Sequence, residues 1–149
     1  MRVRGGFIGV LIVALVGALA GTFFVSVRHR SDQQHLRAAS TLAHRLRAPA
    51  LAAASHDCRG DGLVACWTSN QGATAVAKSL ATQMRAAGAQ PEVRCSRVKV
   101  GPADALVSRD ECSVIARFGS RATAAFVDPS VQRTNGTIHA QTLISLSAG

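Results

Sequence analysis

The chain of 149 residues has no tyrosine, a single tryptophan and only two lysines, and aromatic residues make up 4% of it. A core without large aromatic side chains must be assembled from Val, Leu, Ile, Ala and a few Phe. Each of these buries little area, at roughly 25 cal/mol per Å2 of apolar surface. Catalytic signatures are missing as well: no P-loop, Gly-x-Ser-x-Gly elbow, dinucleotide fingerprint or zincin helix occurs in the sequence. Asp110-Glu111 is the only acidic doublet. No Cys-x2-Cys pair accompanies His56, Cys58 and Cys66, so these three lack ordinary zinc spacing. A catalytic reading would have to draw on separated positions such as Asp110, His139 or His56. The expectation is therefore a protein that is not an enzyme and needs no cofactor or metal.

Acidic residues are also scarce, eight against 17 Lys and Arg, which gives a net charge of +9. Such a balance raises nucleic acid as a partner, but the location of the charge argues otherwise. Seven arginines against Asp32 leave +6 within the first 55 residues, whereas ten cations against seven acids leave +3 from His56 onward. Basic residues concentrated beside an apolar segment suit anionic lipid headgroups, at about 1 kcal/mol each. No nucleic acid is expected.

That apolar segment runs from Gly5 to Val27, 23 residues without a charge, between Arg2 and Arg4 on one side and Arg28 and Arg30 on the other. At 1.5 Å per residue a helix of this length spans a hydrocarbon core of about 30 Å. The rival reading is a cleaved signal peptide, because Ala18-Leu19-Ala20 before Gly21 fits small-x-small processing. The run continues through Phe23-Phe24-Val25 past that point, which favours an uncleaved signal-anchor. Gly5 and Gly9, and Gly17 and Gly21, are spaced for close approach of two transmembrane helices, so the chain is a candidate to associate with itself there. Counting flanking cations points the domain inward, and the cysteine pattern points it to an oxidising compartment. We weigh the cysteines more heavily and expect an extracytoplasmic domain.

Ser31 and Gln34 have capping-box spacing, and Leu36, Ala39, Ala43 and Leu46 recur at helical intervals up to about Arg47. Pro49 ends this segment, and Ala50 to Ser55 reads as a small-residue linker. The segment is expected to be a solvated stalk. The chain thus divides into a membrane anchor with basic flanks (1–30), a juxtamembrane amphipathic helix and linker (31–55), and a disulfide-stapled domain (56–149).

Cys58, Cys66, Cys95 and Cys112 allow three pairings. A hairpin of Pro91 to Val100 with Glu111 to Phe118 sets Cys95 opposite Cys112, Val93 opposite Val114 and Arg97 opposite Asp110, so a disulfide, an apolar pair and an ion pair share one register. Cys58 is left with Cys66. Leu63 to Thr68 reads as a strand, Ser69-Asn70 as a cap, and Ala73, Val76, Ala77, Leu80, Met84 and Ala87 as one helical face that Gly88 ends. Arg121 to Val127 follows as a strand. Asp128-Pro129 is expected to interrupt pairing, Asn135-Gly136 to make a hairpin turn, and Ile138 to Leu146 to alternate as the last strand. Turn chemistry also accounts for two short matches, the adhesion-type tripeptide Arg59-Gly60-Asp61 and the sequon at Asn135. Trp67 is a possible surface anchor.

The fold class expected is α+β: an amino-terminal transmembrane helix, then a β-α-β-β-β-β domain whose antiparallel sheet carries one packed helix. The function expected is a single-pass membrane protein that displays an extracytoplasmic binding module, with the bilayer and an envelope protein or a second copy as partners. The alternative is a secreted small-ligand-binding domain released after Ala20.

Overall fold

The structure, a computed structural model, describes residues 29–58, 62–102, 106–134 and 137–149. The Gly5–Val27 run with Gly5, Gly9, Gly17 and Gly21, the Arg59-Gly60-Asp61 tripeptide and the Asn135-Gly136 turn lie outside the described residues. Among the described residues no helix is long and apolar enough to cross a membrane. The chain divides into two units, Met1–Gln34 and His35–Gly149. In the first, residues 29–34 are helical.

The second unit is a six-stranded antiparallel sheet with helices on one face, an α+β domain. Its elements are α1 (35–45), β1 (Ala52–Ala54), β2 (Leu63–Ser69), α2 (Ala73–Ala86), β3 (Glu92–Val100), β4 (Val107–Phe118), β5 (Arg121–Thr134) and β6 (Thr137–Ala148). The strand order is β1-β2-β6-β5-β4-β3. β4 sends Cys112, Val114 and Ala116 to the covered face, β5 sends Ala125 and Val127, and β6 sends Ile144 and Leu146. All seven are buried. Period-two alternation along each strand produces this division. The opposite face is uncovered within the unit and carries Phe126, 43% exposed.

The α2 face expected from the sequence is the one that packs. Ala73, Val76, Ala77, Leu80, Ala81 and Met84 are buried on the sheet, and Ala87 instead forms the C-cap. Gly88, at φ +85°, takes the left-handed conformation that closes the helix. The Gly88 N–H donates to the Arg85 carbonyl and the Ala89 N–H to the Met84 carbonyl, the double bond of a Schellman cap. The amino-terminal cap differs from expectation: it is Gly72, with no side-chain hydrogen bond. The Ser69 hydroxyl serves the preceding turn by accepting from the Gln71 N–H.

Two helices, not one, cover the sheet, which corrects both the single-helix expectation and the reading of the juxtamembrane amphipathic segment as a stalk. Ala39, Leu42, Ala43 and Leu46 are buried, the last three within the same cluster as α2 and the strands. Leu36 stays exposed. Thr123, buried on β5, donates its hydroxyl to the Ala39 carbonyl at 2.7 Å. Gln83 of α2 clamps the chain just after α1, accepting from the Arg47 N–H at 2.9 Å and donating to the Arg47 carbonyl at 3.3 Å. Part of the expected linker is also structured, since Ala52–Ala54 pairs with Trp67–Ser69 as a short edge strand.

Both disulfides form as the register required, Cys58 with Cys66 and Cys95 with Cys112, leaving no free cysteine. Val93 lies opposite Val114 and Arg97 opposite Asp110. Disulfides persist in oxidising surroundings, so the domain belongs to an oxidising, extracytoplasmic compartment.

Candidate functional site

A polar cavity in the sheet follows from one proline and the alternation of backbone direction. Ala122 of β5 and Gly149 exchange both of their backbone hydrogen bonds, at 2.8 and 3.1 Å, so Ala122 points its N–H and C=O towards β6. In an antiparallel ladder this direction alternates residue by residue. Asp128 therefore points its backbone groups towards β6, and Val127 and Pro129 point theirs towards β4. Val127 is paired with Cys112, so Cys112 and, two and four residues earlier, Asp110 and Ser108 point theirs towards β5. The Cα–Cα distance of 4.1 Å between Cys95 and Cys112 agrees, because it is the close spacing of a pair that exchanges no bonds with its partner strand.

The next step of the β4–β5 ladder would set Asp110 against Pro129, which has no N–H to donate. The ladder stops at Cys112 and Val127. On its other side β5 loses nothing, and its pairing with β6 runs through Pro129 to Thr134. The interruption expected at Asp128-Pro129 therefore affects one neighbour and spares the other. The consequence is a fork: the β3–β4 arm and the β5–β6 arm part, and the backbone groups of Ser108 and Asp110 face the gap with no strand partner.

A cleft of about 560 Å3 fills this fork and reaches the start of α2, within the ordinary range for ligand sites. The β3–β4 arm contributes Arg97, Ser108, Arg109 and Asp110, the other arm Pro129, Ser130, Gln141 and Thr142, and the turn before α2 Asn70 and Gln71. Thr74 donates its hydroxyl to Asp110 at 3.0 Å, and the Arg97 guanidinium lies 3.6 Å from the same carboxylate. That pair is exposed and worth at most about 1 kcal/mol. Thr142 donates to the Gln71 carbonyl at 2.6 Å, holding the turn against β6. Arg109 has no ion pair among the described residues, and strand alternation places its side chain on the opposite face of the sheet from Arg97 and Asp110.

At the crotch of the fork, on the uncovered face, Glu111 and Asp128 are the first residues beyond the last β4–β5 pair. Burial, and then the Glu111 charge, raise the Asp128 pKa above the ordinary carboxylate value. No group of three or more potential ligands that could hold a metal ion occurs among the described residues.

Of the positions singled out in the sequence, Asp110 lies in the cleft. His56 is exposed elsewhere, and the His139 side chain lies outside the described residues. Trp67 is half-buried and packs against the core, on the covered face beside Ile144. Arg109, Ser108, Thr74 and Thr142 were not singled out by the sequence reading. Asp128-Pro129 was the one signal that led towards them. Compared with known proteins, the chain matches no family model, no curated protein and no solved structure. The fold and the cleft define it as a disulfide-stapled α+β domain with a polar, forked sheet.

Proposed function

We propose that this protein is a single-pass membrane-anchored module that holds its α+β domain outside the cytoplasm and binds another envelope protein there, without performing chemistry. The observation that carries the binding reading is the fork, where a folded sheet leaves strand backbone unpaired around a polar cleft. Unpaired strand edges invite pairing by another chain. The anchor rests on the length and unbroken apolarity of Gly5–Val27. Association of copies through Gly5, Gly9, Gly17 and Gly21 is a further part of the proposal, and an unchanged dimer fraction after Gly17→Ile with Gly21→Ile would remove it.

Membrane fractionation with an alkaline carbonate wash, followed by mass spectrometry of the intact chain, tests the anchor. The expected result is a carbonate-resistant chain that retains its amino-terminal segment. A soluble chain beginning at Gly21 would replace this proposal with the secreted small-ligand binder, whose site would then be the cleft.

A further inference from the structure

We propose that the fork binds an extended, carboxylate-bearing segment of a partner protein, which adds as a strand to the free edge of β4. The inference rests on the reading of this chain as a binding module, and is independent of its membrane placement.

Ser108 and Asp110 present N–H and C=O groups to the gap at every second residue, a repeat of about 6.6 to 6.8 Å along the strand. An extended peptide backbone offers matching acceptors and donors at that repeat, and main-chain pairing of this kind is a recurrent mode of peptide recognition. A compact small molecule satisfies at most one such step. Across the gap Pro129 presents a carbonyl and no N–H, so β5 cannot close on β4, and the edge is kept open by the sequence itself. The remaining lining is polar, with Ser130, Gln141 and Thr142 on the far arm. The sign of the ligand follows from Arg109, which has no ion pair among the described residues, and from Arg97, whose side chain is 76% exposed and only 3.6 Å from Asp110. Alternation along the strands sets Arg97 beside Asp110 on the covered face and Arg109 on the opposite face, so acidic side chains at successive positions of the incoming segment meet one guanidinium each, while Lys or Arg there would be repelled.

The probe is a displayed random heptapeptide library panned against the full-length protein in detergent micelles, with the selected sequences resynthesised for fluorescence-anisotropy titration. Acidic, β-branched heptapeptides are expected. N-methylation of alternate backbone amides should weaken them at least about tenfold, and N-methylation of the intervening amides should not, because only one set pairs with β4. Pro129→Val supplies the missing donor, lets β5 zip onto β4 and should abolish binding. Arg109→Glu leaves the fork open and should weaken acidic peptides at least about tenfold while leaving their Gln counterparts unchanged. Amide exchange at Asp110 should slow when peptide is bound, and also in Pro129→Val without peptide. The proposal is overturned if no peptide is enriched, if the selected peptides are basic, if N-methylation has no alternating effect, or if small carboxylates compete fully with the peptides. None of these readouts depends on orientation in the membrane, so a failure here and a failure of the anchor are separate results.

Discussion

Leu42→Ala separates a docked α1 from a solvated stalk. Leu42 is 5% exposed and belongs to the core cluster, whereas Leu36, less than two turns earlier, is 39% exposed. Truncating a buried leucine removes its transfer energy and leaves a cavity, at a cost of about 2 to 5 kcal/mol. Leu42 lies at the rim of the core, on a helix able to settle towards the sheet, which places the cost near the lower half, about 2 to 3 kcal/mol. For a unit of this size each kcal/mol moves Tm by roughly 4 °C, so Leu42→Ala should lower Tm by roughly 8 to 12 °C. Leu36→Ala should stay within about 0.5 kcal/mol, or about 2 °C. Trp67, the sole tryptophan, packs against the same core, and its fluorescence during thermal unfolding of the full chain in micelles is the readout. Equal small shifts for the two variants would refute the docking of α1.

Other substitutions test other contacts. Thr123→Val leaves the Ala39 carbonyl without its buried donor and should cost about 1 to 3 kcal/mol in a denaturant titration. Gly119→Ala forces a side chain onto a φ of +57° and into the His35 ring, so its cost should exceed the 1 to 2 kcal/mol or so of the backbone term alone, with the excess vanishing in a His35→Ala background. Removing Cys95–Cys112, which closes the longer loop, should cost about 3 kcal/mol, and removing Cys58–Cys66 slightly less, measured as Tm differences between double Ser variants. The raised pKa of Asp128 means that the folded state holds this proton more tightly than the unfolded chain. Its contribution is fully present below the unfolded aspartate pKa, and is lost as pH rises through the folded one. Asp128→Asn should therefore raise Tm at pH 7 and lose that advantage at about pH 3.

Where a residue's neighbour is set by local pattern, the sequence was readable. Cys95, Val93 and Arg97 each name a partner in one and the same antiparallel register, so the β3–β4 pairing could be written down in advance. The α2 face emerged from one strong period, closed by a glycine. The failures share a cause in that pattern reveals a face but not what covers it. Leu42, Ala43 and Leu46 look alike whether they meet the sheet or solvent. Ala52–Ala54 has no side-chain alternation to mark it as a strand, and its pairing comes from β2. Pro129 announced a broken ladder, but only the direction of its missing N–H, set by the register with β6, decides which neighbour is lost. The fork follows from that direction, which no single-strand pattern contains.

The central claim, a disulfide-stapled binding domain held outside the cytoplasm, is tested most directly by alkylating intact cells with a membrane-impermeant thiol reagent, before and after reduction with an impermeant phosphine. The account predicts no labelled cysteine before reduction and four, Cys58, Cys66, Cys95 and Cys112, after it. Four thiols that react without reduction, and only once the cells are permeabilised, would contradict both the disulfides and the placement of the domain.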